Sequence, residues 1–377
     1  MLVNRGIKHS AFYPVTGKWA SQFVLYNHYL RPLWTLGPLE EYRILRTAVG
    51  LYDITGEKVI EIAGPDALDV VDAAVLRSAR GLTDGRCLYT AMCYDHGGIV
   101  DDGVLLRFSP DRFWFVGGEG AAEPWLHGLA LGKRVTVRSH LDTLHVLGLH
   151  GPNATSALQT VIDVDLTRVR RSDVVPSARV AGVHATLTRT GWTGEDGYEL
   201  YVSVDEGAVL CERLLEAGRP FGLHLCGSAS LEMRRVENGV PMYGVDMDWT
   251  TTPYEVGLDW MLDFAKGPFH GREALLAASQ NPPGRRLVGL EGQGDAIGVP
   301  RGRVLLDGLP VGAVTSATFS PALGKPVALA MVEARAAATG TLLQVDTRGK
   351  RQGAMVVPLP FDLEGRRGRR QHGASGG

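Results

Sequence analysis

Cysteine is scarce in this chain, with four in 377 residues at Cys87, Cys93, Cys211 and Cys226. No two stand as CxxC, and no histidine lies at zinc-finger spacing from them. That excludes a disulfide scaffold and a structural zinc site; reduced, partly buried thiols and no metal are expected. An excess of one charge is lacking too. There are 39 Lys and Arg against 41 Asp and Glu, a formal net charge of -2, so no global field draws nucleic acid or an anionic membrane. No apolar run reaches the ~18 residues of a membrane span. The opening MLVNRGIKHSAFYP has no apolar signal segment, which leads to a cytoplasmic expectation. Also missing are a GxxxxGK[ST] phosphate loop, HExxH and GxSxG. Gly292-Gln293-Gly294 lies in a strand-rich region without a following helix, so no nucleotide cofactor is indicated.

What is present is a globular composition, with 45% apolar residues and 48 glycines, on a chain long enough for two or three domains. Leu39, Tyr42, Leu45 and Val49 recur at helical spacing ahead of Gly50. Val59, Ile60 and Ile62 read as a strand, Gly64-Pro65 as a turn, and Asp66 to Leu76 as a capped amphipathic helix. Strands are expected over 86–94, 99–108 and 113–116, then a helix over 121–131. Gly151-Pro152-Asn153-Ala154 repeats the sense of Gly64-Pro65-Asp66-Ala67, which suggests a pseudo-repeated α+β unit. After a linker at 280–284, strands near 286–291, 302–306, 311–317, 327–333 and 342–347 predict a separate all-β module.

Three segments carry chemistry. In GGIVDDGVLLR (97–107), Asp101 and Asp102 interrupt an apolar strand, and alternation turns them to opposite faces. One is expected in solvent and the other at a pocket floor. In RTGWTGEDGYELYV (189–202), glycines are expected to let a flat ligand approach the backbone. Trp192 offers a stacking surface, and Glu199 offers a carboxylate for a ring N–H and an exocyclic amine, as a pterin presents. MRRVENGVPMYGVDMD (233–248) mixes Arg234, Glu237 and Tyr243 into a helix-then-loop segment.

In their order and spacing these segments resemble the glycine-cleavage T-protein superfamily, together with VGLYDIT, LHGPNA, TPYEVGLDW, GREALL and GAVTSATFSPALGKPVALAMV. The resemblance covers nearly the whole chain. It implies an α+β, multi-domain T-protein-like fold: two interleaved α+β domains around a central folate cavity, plus a C-terminal all-β barrel or jelly-roll-like domain. The domains would be 1–57 with 145–278, an inserted 58–144, and 285–363, with a flexible tail at 364–377. YNHYLRP, GPLEEYRILR, DRFWF and WLHGLALG are similar to the dimethylsulfoniopropionate demethylase branch and related aryl-ether demethylases. Where the T-protein carries Ala-Arg-Asp, this chain has Ser230-Leu231-Glu232.

The resemblance implies tetrahydrofolate as methyl acceptor and co-substrate. Asp102 matches the carboxylate beside the reactive folate nitrogen, Tyr89 an aromatic wall, Val104 and Val116 cavity contacts, and Glu199 the pterin-reading carboxylate. Trp192 stands where the family often has Tyr, and Arg366 or Arg367 matches the arginine that holds the glutamate tail. The expected activity is transfer of a methyl group from a small donor (sulfonium, quaternary ammonium or aryl ether) to folate N5. Asp102 orients N5, and His28, Tyr26 or Tyr243 donates a proton. Tyr26, Asn27, His28 and Tyr29 are the expected donor-binding residues. On this expectation no lipoyl carrier protein takes part. The alternatives are a T-protein-like aminomethyltransferase, which gives methylene-tetrahydrofolate and ammonia and needs that carrier, and a non-enzymatic folate binder. Met242 stands where the latter carries its cysteine motif.

Overall fold

The computed structural model describes residues 6–294, 300–347 and 349–361. Strands β1 (Lys8–His9), β2 (Gln22–Tyr26) and β3 (Tyr29–Trp34) form an N-terminal sheet, with helix α1 (Tyr13–Thr16) between β1 and β2. Asn27 and His28 link β2 to β3 with φ of 45° and 72°. Two left-handed residues in a row match the twist of a tight hairpin, and Asn and His tolerate that region better than most. Helix α2 (Pro38–Thr47) opens on proline with Glu40 and Glu41 in its first turn, as the helix N-terminus favours. It leads into β4 (Val49–Asp53), which is buried at every position.

Next come β5 (Lys58–Ala63), α3 (Ala67–Ala74), β6 (Arg86–Cys93), β7 (Ile99–Ser109), β8 (Arg112–Gly117), α4 (Ala122–Leu129) and β9 (Thr136–Ser139). The five strands pair in the order β6-β7-β8-β5-β9. The chain continues with β10 (Leu144–His150), α5 (Ala154–Gln159), β11 (Val174–Val180), β12 (Val183–Thr188), β13 (Gly197–Ser203), α6 (Gly207–Gly218) and β14 (Leu223–Cys226). With β4 these strands form a six-stranded sheet in the order β11-β12-β13-β10-β4-β14.

The Gly-Pro repeat has a backbone cause. Gly64 (φ 137°) and Gly151 (φ 131°) each end a strand and open a helix. A Cβ at either would sit 2.4 Å from the Arg134 carbonyl oxygen or 2.5 Å from that of Ala48, so only glycine fits. Asp66 does not cap α3 as expected. Its carboxylate accepts from the Arg134 backbone N–H (2.7 Å) and guanidinium (2.9 Å) instead.

Three apolar clusters organise these two sheets. One packs the six-stranded sheet under α5 and α6 (Leu147, Leu149, Leu158, Leu200, Leu210). A second packs the five-stranded sheet under α3 and α4 (Ile60, Val71, Leu105, Phe115, Leu126). The third joins the sheets face to face through Val59, Leu106, Trp114 and Val116 on one side and Tyr52, Val146 and Tyr201 on the other. Each such large apolar side chain contributes about 1.5–3 kcal/mol on burial.

Helix α7 (Ser228–Glu237) and helix α8 (Arg272–Ser279) follow. Then β15 (Arg285–Gly292), β16 (Arg303–Leu306), β17 (Leu309–Ser320), β18 (Lys325–Glu333), β19 (Leu342–Thr347) and β20 (Lys350–Val357) close a barrel, β15-β18-β17-β16-β19-β20. The chain divides into two compact units. Among the described residues the first runs to Glu232 and includes Met247–Pro282; the second holds Met233–Asp246 and the residues from Pro283 on. In the second unit the fully buried Arg235 pairs with Asp246 at 2.5 Å, and Ser316 bonds both. That pins loop 238–246 to the barrel. All four cysteines are buried free thiols. Among the described residues no helix is long and apolar enough to cross a membrane.

Candidate active site

Register builds the site. β6, β7, β8 and β5 set Tyr89, Val104, Val116 and Val59 in one row, on the face turned to the six-stranded sheet. Asp102 lies two residues before Val104 and therefore on the same face. Tyr89 Oη donates to Asp102 Oδ2 at 2.5 Å. Burial pushes the Asp102 carboxyl up to about 6, against the pull of the Tyr89 hydroxyl. Tyr89 also lies 6.2 Å from the Trp260 ring, and Arg77 caps Trp260 at 5.5 Å.

Asp101 turns to the helix-covered side, and the expectation of a solvated partner fails there. It is 0% exposed, accepts from the Asp102 N–H at 3.0 Å, and lies under Gly120, where a Cβ would come within 2.4 Å of its Cγ. Burial first, then the adjacent Asp102, push its carboxyl up to about 7. Asp102 is the carboxyl of the pair on the face turned to the six-stranded sheet.

The opposite wall is β13. Glu199 is buried, and its Oε2 accepts from Thr190 Oγ1 (2.7 Å), Tyr201 Oη (3.1 Å) and Thr188 Oγ1 (3.4 Å). Among the described residues no hydrogen bond reaches Oε1. Burial raises the Glu199 carboxyl, and the three hydroxyls oppose that rise. Trp192 packs on the inter-sheet cluster. The glycines around it serve differently from expectation. Cβ atoms at Gly191 and Gly197 would lie 2.8 and 2.3 Å from the His150 ring, so these glycines make room for a buried imidazole.

The four hairpin residues part company. The Tyr26 ring carries the Arg31 guanidinium at 4.1 Å. Burial raises its hydroxyl far above the usual range, with Arg31 opposing and Glu57, Glu119 and Asp101 adding to the rise. Asn27 Nδ2 donates to the Gly56 and Gly118 carbonyls at 2.6 and 3.1 Å, which ties the hairpin to the sheet. His28 is exposed at the turn. Tyr29 is buried and donates to Asp142 at 2.6 Å. Tyr243 belongs to the second unit. Arg366, Arg367 and the tail at 364–377 lie outside the described residues.

Glu57 is a residue the sequence reading passed over. It is partly exposed at the head of β5. Burial and the negative Glu199 push its carboxyl up to about 8, while Arg31 pulls it down. In sequence it is one more charge in a turn, and only strand register sets it on the same face as Asp102, two strands away. The facing sides of the two sheets thus carry aromatic rings, a carboxylate on β13 whose Oε1 takes no hydrogen bond among the described residues, and a hydroxyl-oriented carboxylate on β7. Those features fit a pterin. A separate concavity of about 500 Å³, lined by Arg86, Asp165, Arg168 and Asp173 among others, holds none of the expected site residues.

Comparison with known proteins settles the family. Residues 3–266 match the GCVT N-terminal domain, and 285–362 match the glycine cleavage T-protein C-terminal barrel domain. The chain is 35% identical to an aminomethyltransferase of Symbiobacterium thermophilum, over 95% of this chain and 98% of that one. It is 33% identical to one of Bacillus subtilis, over 85% and 90%. The crystal structure of glycine cleavage system aminomethyltransferase T from Bartonella henselae superposes with a TM-score of 0.87 at 28% identity, covering 94% and 98%. These relatives overturn the demethylase expectation: full-length similarity runs to aminomethyltransferases, and the segments credited to the demethylase branch do not outweigh it. Members of the family use tetrahydrofolate as co-substrate, and that expectation stands. This chain belongs to the glycine-cleavage T-protein family of folate-dependent one-carbon transferases.

Proposed function

We propose that the protein is an aminomethyltransferase: it moves the carbon of an aminomethyl group to tetrahydrofolate, giving methylene-tetrahydrofolate and ammonia. The observation that carries this reading is that Asp102, oriented by Tyr89, and Glu199, whose Oε1 takes no hydrogen bond among the described residues, stand on the facing sides of the two sheets. Glu199 reads the pterin edge, Trp192 and Tyr89 wall the ring, and Val104 and Val116 line the way. Asp102 sits beside N5 and stabilises the positive charge that grows there. No covalent nucleophile from the protein is needed, and positioning supplies roughly 7–11 kcal/mol of barrier reduction in such reactions.

An aminomethyl donor of this kind rides on a lipoyl carrier protein, so the reading replaces the exclusion of that partner with its requirement. Ser230-Leu231-Glu232, where the T-protein carries Ala-Arg-Asp, brings no arginine to the folate at that place, and that departure favours the demethylase expectation that whole-chain similarity overturns. The division into 1–57 with 145–278, 58–144 and 285–363 goes with this reading. Its support is that the strands of the five-stranded sheet all fall in 58–139 and those of the barrel in 285–357. A cytoplasmic setting goes with it too, where the folate pool and reduced thiols meet. The test is to incubate the protein with tetrahydrofolate and an aminomethyl-loaded lipoyl carrier. The reading expects methylene-tetrahydrofolate and stoichiometric ammonia; carrier consumption without either product refutes it.

A further inference from the structure

β5 and β7 flank β8, and the register relates them. Lys58 stands opposite Gly117 on one side, and Gly103 stands opposite Gly117 on the other. Continuing each ladder by one residue sets Gly118 between Glu57 and Asp102. Both neighbours of β8 run antiparallel to it, so Glu57 and Asp102 lie at the same end of the sheet. Glu57 is two residues before Val59 and Asp102 two before Val104, so both project to the inter-sheet face. Two strand spacings of ~4.8 Å put their Cα atoms about 10 Å apart. The residue between them, just past the end of β8, is glycine and brings no side chain of its own. A Cβ on Gly118 would meet Tyr26 Oη at 3.1 Å, so that hydroxyl hangs over the interval. Asn27 ties the Glu57 end of it to its middle through the Gly56 and Gly118 carbonyls.

We infer that Glu57 is the proton donor to the leaving amine, working across Gly118 from Asp102. This rests on the aminomethyl-transfer reading and deepens it. As folate N5 bonds to the donor carbon, the carbon–nitrogen bond breaks and its electron pair stays on nitrogen. The Glu57 proton moves onto that nitrogen and completes ammonia. Glu57 is left as a carboxylate, and the positive charge on N5 faces Asp102; N10 then bonds to the same carbon as the carbon–sulfur bond to the carrier breaks with its electron pair on sulfur, and the protons shed by N5 and N10 go to Glu57 and to that thiolate. The two carboxyls divide the work because their surroundings divide their protons. Glu57 faces Glu199 from β13, Arg31 from β3 and Tyr26 from β2, with Asp102 from β7 along the row; Lys58 is its own neighbour, and Glu119 and Asp101 face Tyr26. The balance keeps Glu57 protonated near neutrality while Asp102 is mostly ionised. His28 is exposed at its turn and does not fill this role.

The test compares wild type, Glu57→Gln and Glu57→Asp in the carrier-dependent reaction from pH 5.5 to 9. Tetrahydrofolate affinity is measured by calorimetry in parallel, and melting curves check the fold. A donor of this kind contributes roughly 10²–10⁴-fold. Glu57→Gln should therefore lose at least about 100-fold in kcat and the alkaline limb near pH 8, with tetrahydrofolate affinity within about threefold of wild type. Glu57→Asp should restore part of the rate together with the limb. A Gln variant that matches wild type at every pH overturns the assignment and leaves the aminomethyl-transfer reading standing. So does a loss of affinity as large as the loss of rate, which makes Glu57 a pterin contact. A folded, folate-binding wild type that does not turn over with the loaded carrier overturns both.

Discussion

Replacing Tyr89 by Phe removes one hydroxyl and keeps the ring near Trp260. The structure says what that hydroxyl does: it donates to Asp102 at 2.5 Å and holds down a carboxyl that burial has raised to about 6. With that value Asp102 is about nine-tenths ionised at pH 7. A hydrogen bond to a charged group is worth about 1.5–3 kcal/mol, and one pKa unit corresponds to about 1.36 kcal/mol. Losing the bond should therefore raise Asp102 by about one to two units, to about 7–8. The ionised fraction at pH 7 then falls to between about a half and a tenth, with a two- to tenfold loss of kcat/KM. The signature is the acid limb of the kcat/KM profile, measured by methylene-tetrahydrofolate formation, moving alkaline by one to two pH units. An acid limb that stays at its wild-type position refutes the role assigned to the pair.

Other consequences concern stability. Asp246→Asn exchanges the carboxylate that meets the buried Arg235 at 2.5 Å for a neutral amide, which should cost about 1.5–3 kcal/mol, the worth of a hydrogen bond to a charged group, seen as a lower urea midpoint. Gly64→Ala places a Cβ 2.4 Å from the Arg134 carbonyl oxygen at φ 137° and should destabilise by about 2–4 kcal/mol. Glu57 has a folded pKa above its unfolded one, so its contribution is whole below about pH 4.5 and is lost as pH rises toward about 8. Glu57→Gln should melt like wild type at pH 4.5 and higher at pH 8. Solvent screening at the partly exposed carboxyl holds the gain to about 1–2 kcal/mol.

Much of the fold was legible because periodicity and turn chemistry are local. The helix ahead of Gly50, the Gly-Pro turns at 64 and 151 and the strand series after residue 285 follow from residue spacing alone. β20 was not read, since KRQGAMVV alternates only in its second half. The hairpin Gln22–Trp34 was not legible because its turn is Asn27-His28 without a glycine and Pro32 interrupts its second strand. Its tip, Asn27-His28, is a turn whose first task is geometric. The pairing of Tyr89 with Asp102 and the isolation of Asp101 depend on which strands neighbour β7, which no single segment records. Glu57 depends on two registers at once. The choice of reaction went astray for a related reason. Short segments carried the demethylase likeness, whereas similarity over the whole chain runs to aminomethyltransferases.

The central claim is that a reduced pterin lies between the two sheets with its edge on Glu199. Calorimetric titration of tetrahydrofolate into folded wild type and Glu199→Gln tests it most directly. Losing a charge-assisted contact of about 1.5–3 kcal/mol predicts one-site binding to wild type and an affinity roughly 10- to 150-fold weaker in the variant. No binding to wild type, or equal affinities, would contradict the account.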